Sequence, residues 1–340
     1  VDSSDLDTGS APTHGIRTRL RNQRVLVTGA TGFIGANLVR AVLAAGAEVH
    51  AVVRAGSSTW RLEELQRDVR FHPADLADPV SLRRAFATAR PDVLLHLAVP
   101  RGQDEAARVR IVRDNVLGAA HLIGLVREFG VGRVVVTGSS LEYGPQAGPL
   151  HEALALQPST VHGVAKAAAS LLFRQAALEH GIPVSILRLF HVYGPWESPH
   201  RLFPAAVRAA RDGTRLPLTE PGIRRDWVFV DDVVDAVLRA VGLETRGEVL
   251  NIGSGRQYAN EEVVAGVAAA VGHPIATDVG AFTARPADVT SRVADCAEAA
   301  RQLGWRPRHD LASAVRRTLA WCDAHPTAWS VRDDAPPAIV

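Results

Sequence analysis

Residues 25–35 read Val25-Leu26-Val27-Thr28-Gly29-Ala30-Thr31-Gly32-Phe33-Ile34-Gly35. The apolar run Val25 to Thr28 predicts a buried strand. Three glycines at a spacing of three follow it, and a helix is predicted from Phe33 to about Ala45, stopped by Gly46. In such a turn Gly29 permits the sharp reversal, Gly32 lets a pyrophosphate come close to backbone, and Gly35 allows tight helix packing. The helix N-terminus then faces the phosphates. Glycines alone carry little information. Set between a strand and a helix, they mark the first βα turn of a dinucleotide-binding unit.

Outward from this turn, short β-branched runs alternate with helical stretches. Strands are predicted at Val49 to Val53, Asp92 to Leu97, Arg133 to Thr137 and Val184 to Leu189, with a long helix from about Asp104 to Phe129. Strands apolar throughout, alternating with helices, imply a parallel sheet covered on both faces, the doubly wound α/β class. After Leu189 the pattern loosens into Pro-, Gly- and Arg-rich sequence. A helix from Asp231 to Val241 and a strand from Glu248 to Ile252 are expected to return to the sheet. The expected organisation is a disordered leader over 1–22, a dinucleotide domain over 23–189 joined by 228–252, and a smaller lobe from 190–227 and 253–330.

Composition narrows the function classes. The 340 residues are 47% apolar and 22% charged, with a net charge of +2. Balanced charge argues against a nucleic-acid partner. No apolar run reaches the roughly 18 residues of a membrane span. Two cysteines suggest no disulfide framework and fit a reducing cytoplasm. The histidines show no metal-ligand spacing, so no metal site is expected.

Two features speak to chemistry. The second strand ends in Val52-Val53-Arg54-Ala55-Gly56-Ser57-Ser58, without the acid that usually binds an NAD ribose. Arg54, with Ser57 and Ser58, suits a 2′-phosphate, which favours NADP(H). The other is Lys166, the single lysine beside 37 arginines. A lone ammonium kept among arginines points to a need for a compact, titratable charge.

Further motifs follow in order: Ala74-Asp75-Leu76, Leu95 to Ala98, Asp114 to Gly118, Gly138-Ser139-Ser140-Leu141-Glu142-Tyr143-Gly144, Lys166, Leu187 to Pro195, Arg225 to Asp232, Asn251 to Gly255, and Leu303 to Pro307. With the glycine turn, the chain over about 23–325 resembles the extended short-chain dehydrogenases/reductases, in the nucleotide-sugar epimerase, dehydratase and reductase group. The resemblance implies that Gly29, Thr31, Gly32, Phe33, Ile34 and Gly35 hold the pyrophosphate end and that Asp75 and Leu76 hold the adenine. It implies that Leu97, Ala98, Val99 and Thr137 line the groove, that Lys166 bonds the nicotinamide ribose, and that Phe190 and Val192 flank the nicotinamide. Ser139 aligns with the group's catalytic Ser/Thr. Ser140, Glu142, His191, Arg225 and Arg285 are implied on the nucleotide-sugar side. The group often forms homodimers through two long helices, a role that 104–129 and 159–180 could take here.

The main departure is His162-Gly163-Val164-Ala165-Lys166, where the group has Tyr-x-x-x-Lys. The i,i+4 spacing puts both side chains on one helical face. Imidazole can move a proton near neutral pH, and Lys166 should lower its pKa. The 4,6-dehydratases of the group carry an acid where Leu141 stands, so dehydration is disfavoured. Three readings remain. The first is NADPH-dependent reduction of a keto group on a nucleotide sugar, with His162 as proton donor. The second is an epimerase with transient oxidation. The third is a cofactor-binding sensor or non-redox enzyme.

Overall fold

The computed structural model describes residues 19–100, 102, 104–282 and 291–329. Part of the expected leader and most of the stretch around Arg285 lie outside them. The centre is a seven-stranded sheet built from β1 (Arg24–Thr28), β2 (Glu48–Val53), β3 (Val69–Pro73), β4 (Val93–His96), β5 (Arg133–Ser139), β6 (Val184–Leu189) and β10 (Glu248–Ile252). Its order is β10-β6-β5-β4-β1-β2-β3, with every pair parallel. This is the expected doubly wound class. The chain reverses its winding at β1, which pairs with both β2 and β4. A crevice for ligand opens beyond the strand ends at such a point.

Alternate strand residues feed two cores. Val25, Val27, Leu95, Val135, Leu187 and Leu250 pack on one face with α1 (Phe33–Ala44) and the later helix α6 (Val230–Val241). Leu26, Leu94, Val134, Val136 and Ile186 pack on the other with α2 (Pro79–Ala89), α3 (Glu105–Phe129) and α4 (Val161–His180). Period-two alternation thus divides one set of all-apolar strands between two helix layers. β10 pairs at the edge of this sheet and α6 packs on its face.

The stretch from 190 carries more order than its composition implied. It holds β7 (His191–Tyr193), α5 (Leu202–Asp212), β8 (Leu216–Thr219) and β9 (Arg224–Phe229). With β11 (Gln257–Ala259) and β12 (Thr277–Phe282) these form two small sheets, ordered β11-β9-β7 and β12-β8. A separate apolar cluster joins α5, α7 (Asn260–Val271) and α9 (Leu311–Ala324) through Phe203, Val207, Val263, Val267, Leu311 and Val315. The short helix α8 (Ala297–Leu303) leads to Trp305, which is buried against the main sheet.

Candidate active site

The β1–α1 turn meets its steric demands only with glycine. Gly29 has φ +75°, and a Cβ there would lie 2.7 Å from the Ala98 amide nitrogen. A Cβ on Gly35 would lie 2.1 Å from the Gly29 carbonyl oxygen. The turn is therefore pressed against the Leu97-Ala98 segment that leaves β4, and the Leu97 amide donates to the Thr28 carbonyl at 3.0 Å. Gly32 caps α1 without a side-chain bond, and the first helical turn carries no acid. Its free N–H groups and positive dipole end fit a pyrophosphate. Thr31, Ile34, Leu97, Ala98 and Val99 are half-buried around this turn, while Phe33 is buried toward the smaller lobe.

Beyond the C-terminal end of β2, Arg54 is exposed in a turn closed by the Ser57 amide donating to the Arg54 carbonyl at 3.1 Å. Its Nη1 lies 3.6 Å from Asp114 Oδ2. Asp75 accepts from the Ala77 amide at 2.8 Å. Leu76 is buried under Gly118 of α3, where a Cβ would come within 2.9 Å of Leu76 Cβ.

The expected catalytic residues lie where α4 meets β5. Thr160 caps α4 by accepting from the Gly163 amide at 3.0 Å. A Cβ on Gly163 would sit 2.5 Å from the Leu141 carbonyl oxygen. This glycine lets the first turn of α4 lie directly on the 3₁₀ turn Ser140–Glu142 at the end of β5. Ser139 caps that turn, its Oγ accepting from the Leu141 amide at 3.2 Å. As an acceptor there, the hydroxyl keeps its own hydrogen for another partner.

One helical turn apart on α4 stand His162 and Lys166. Lys166 is buried, and its Nζ donates to the Thr137 carbonyl at 2.7 Å. Burial brings its pKa down to about 8, against an opposing pull from Glu142. His162 is half-buried, and burial followed by the Lys166 charge lowers its pKa to about 4. Below them His96 is buried, hydrogen-bonded through Nδ1 to Thr28 Oγ1 at 2.7 Å, with its pKa lowered to about 3 by burial and then by Lys166. Near neutral pH, Lys166 is thus the charged member and both imidazoles are neutral.

Glu142 departs from expectation. Its side chain is fully buried, with Oε2 2.8 Å from Arg188 Nε and Oε1 accepting from the Ser139 amide at 2.8 Å and Ser170 Oγ at 3.1 Å. It faces the protein interior, so the expectation that it contacts a sugar is corrected. Arg188 also donates to the Tyr143 hydroxyl at 2.9 Å, which in turn donates to Asn251 at 2.8 Å. A buried guanidinium needs a counter-charge, and Glu142 is that charge. Ser140 is buried in the same turn, and Phe190 packs with Tyr143, Leu150 and Ala294.

On the lobe side, Val192 is half-buried and His191 stands edge-on to Trp227 with centroids 4.2 Å apart. The His191 pKa is pushed well below its ordinary value by burial and by Arg201, Arg225 and Arg292. Arg225 donates to Asn260 at 2.8 Å. Sequence reasoning named Arg225 alone of these three cations. Arg201 and Arg292 belong to no motif that marked them. Arg285 lies outside the described residues. Among the described residues no group of three metal-ligating side chains gathers, and no helix is long and apolar enough to cross a membrane.

The profile of the NAD dependent epimerase/dehydratase family matches residues 25–253. A UDP-glucose 4-epimerase of Mycolicibacterium smegmatis is 33% identical over 87% of this chain and 97% of that protein. A dTDP-glucose 4,6-dehydratase of Streptomyces griseus is 31% identical over 90% and 95%. Among solved structures, DesIV, a dTDP-glucose 4,6-dehydratase from Streptomyces venezuelae with NAD bound, superposes with a TM-score of 0.80. It is 27% identical, over 90% of this chain and 98% of that one.

Proposed function

Since the chain belongs to the NAD dependent epimerase/dehydratase family, we propose that it is a nicotinamide-linked oxidoreductase of a nucleotide-activated sugar, with His162 as the proton carrier. The observation that supports this reading is the packing of the first turn of α4, which carries His162 and Lys166, on the turn at the end of β5 that Ser139 caps. The glycine turn would hold the pyrophosphate, Arg54 the 2′-phosphate of NADP(H), and Lys166 the nicotinamide ribose. Arg225 and Arg292 would face the nucleotide diphosphate. When bound, the dinucleotide supplies a hydride acceptor or donor. Ser139 donates a hydrogen bond to the reacting sugar oxygen. Neutral His162 accepts the proton of a sugar hydroxyl, directly or through one water, since imidazole reaches about 2 Å less far than the phenol of tyrosine.

Protonation state orders the alternatives. Removing a hydroxyl proton needs neutral imidazole, which a pKa of about 4 supplies. Donating a proton to a ketone needs imidazolium, which is scarce at neutral pH. In a cycle of transient oxidation and re-reduction, the imidazolium formed in the first half returns its proton in the second, so we place an epimerase cycle ahead of net ketoreduction, which must start from imidazolium. The similarity to a UDP-glucose 4-epimerase supports the same order. Leu141, at the dehydratase acid position, and the inward-facing Glu142 speak against dehydration. Net reduction keeps one observation in its favour, the acid-free end of β2 with Arg54. The test is incubation of the purified protein with NADP⁺ or NADPH and a panel of UDP- and dTDP-sugars, followed by NMR. Epimer formed without net cofactor turnover is expected. Stoichiometric NADPH loss would install the ketoreductase reading. No conversion of hydroxy- or keto-sugars would leave the sensor reading.

We also propose that the chain pairs with a second copy. Of the eight exposed large apolar residues among those described, Val109, Val112 and Leu117 lie on α3, and Val164, Leu171 and Leu178 on α4. Apolar side chains gathered on two adjacent helices favour association. Analytical ultracentrifugation should show a dimer, and Leu171→Glu with Leu178→Glu should yield monomer.

A further inference from the structure

We propose that Arg54 and Arg113, both tied to the buried carboxylate of Asp114, form a two-guanidinium clamp for the 2′-phosphate of NADP(H). The proposal rests on the reading of the crevice as an NADP(H) site and adds to it the residues that select the cofactor.

Arg54 leaves the C-terminal end of β2, and Arg113 and Asp114 are neighbours on α3. Asp114 stands between the two cations. Its Oδ1 accepts from Arg113 Nε at 2.7 Å, and its Oδ2 lies 3.6 Å from Arg54 Nη1. The Asp114 side chain is only 3% exposed, whereas Arg54 and Arg113 are 47% and 42% exposed. The carboxylate is thus covered by its partners, and guanidinium faces the solvent. Arg113 uses its Nε edge on Asp114. Its two terminal nitrogens carry no hydrogen bond among the described residues. They are free to fork onto another anion.

The position is the one that a 2′-phosphate would take. The resemblance puts adenine at Asp75, and Asp75 acts on the charge of Arg113, which places that guanidinium in the same neighbourhood. The ribose of a dinucleotide lies beside the end of the second strand, where Arg54 stands. A phosphate monoester carries about −1.5 to −2 charge at neutral pH, so a single arginine leaves it under-neutralised. Two forks from different elements match it in geometry, and the second guanidinium keeps the group net positive once the Asp114 carboxylate is counted. Asp114 has a positioning task. Two arginines so close would repel, and the buried carboxylate between them holds both ready before ligand arrives. A ribose bearing only hydroxyls offers this pair no negative charge to grip, so the clamp separates NADP(H) from NAD(H) by charge.

The test uses fragments that need no turnover. Binding of adenosine 2′,5′-bisphosphate and of 5′-AMP to the full chain is measured by calorimetry, for the natural protein and for Arg54→Ala, Arg113→Ala and Arg113→Lys. The natural protein should prefer the bisphosphate. Arg113→Ala should weaken the bisphosphate by about 10-fold or more, the loss of one charge-assisted contact. It should leave 5′-AMP within about twofold, which also shows that the crevice is intact. Lysine should recover part of the preference, because it keeps the charge without the fork. Undiminished preference in Arg113→Ala, or an equal loss for both fragments, would overturn the clamp. If preference then vanished only in Arg54→Ala, the NADP(H) reading would stand without it. Equal binding of the two fragments by the natural protein would overturn the NADP(H) reading itself.

Discussion

Glu142 Oε2 and Arg188 Nε meet at 2.8 Å with both side chains shut away from solvent. The pair lies directly beneath Ser139, whose amide is held by the other oxygen of the same carboxylate. Charge inside the domain is therefore fastened to the residue that should touch the reacting oxygen.

Removing one partner strands the other. Glu142→Ala leaves the Arg188 guanidinium buried without its counter-charge and should cost about 3–5 kcal/mol of stability. Glu142→Gln keeps the bond to the Ser139 amide and should cost less. Urea unfolding of the two variants measures both: the loss shared by the two reports the ion pair and their difference reports the bond to the Ser139 amide, so a small loss in both would show that the ion pair contributes little.

Gly163 is held to its type by space. The Cβ of Gly163→Ala would press on the Leu141 carbonyl oxygen at 2.5 Å, and backbone must move to relieve it. His162 moves with that backbone. Turnover should fall by roughly 10²-fold, in line with a displacement near 1 Å, with a smaller loss of stability. Parallel assays of rate and melting temperature separate the two. A rate that tracks melting alone would contradict the geometry.

His162→Phe should lower turnover by about 10²–10⁴-fold, the usual cost of losing a general acid or base. His162→Tyr should retain or restore activity by re-forming the Tyr-x-x-x-Lys pattern. Dinucleotide affinity should survive both changes, since the ribose contact is assigned to Lys166. If His162→Phe works at full rate, proton transfer must pass through Ser139 or water.

The pH profile follows from the two shifted groups. Oxidation needs neutral His162, so its rate should rise with pH through about 4 and then level. It should decline as Lys166 loses its charge near pH 8. Reduction needs protonated His162 and should fall as pH rises above about 4. Initial rates in each direction, measured with Lys166→Arg as a control, test the assignment. Arginine stays protonated, so the upper limb should vanish in whatever activity that variant keeps.

Some elements were legible because backbone sterics leave few choices. Gly29-x-x-Gly32-x-x-Gly35 can be read as a turn, since φ +75° and a near neighbour at 2.7 Å exclude other side chains at Gly29. The apolar strands of the main sheet announced themselves because both faces are covered. β3, an edge strand of mixed polarity, did not. Neither did β7 and β8, which are short, nor β9, and all three owe their pairing to partners far along the chain. The candidate site divides in the same way. His162 and Lys166 share a helix face by spacing alone. The fate of Glu142 depended on Arg188, 46 residues later, and nothing local in the sequence declares that meeting. The same holds for Arg201 and Arg292 beside His191.

The last strand to join the main sheet has a consequence for synthesis. β6 ends at Leu189, but its outer neighbour β10 begins only at Glu248. At translation speeds of about 5–20 residues per second, β6 waits roughly 3–12 s with its outer edge unpaired. Such an edge is a template for another chain. The strand carrying Arg188 is therefore an edge through which the nascent protein is exposed to aggregation, and chains released before residue 248 should fail by self-association rather than by slow folding alone.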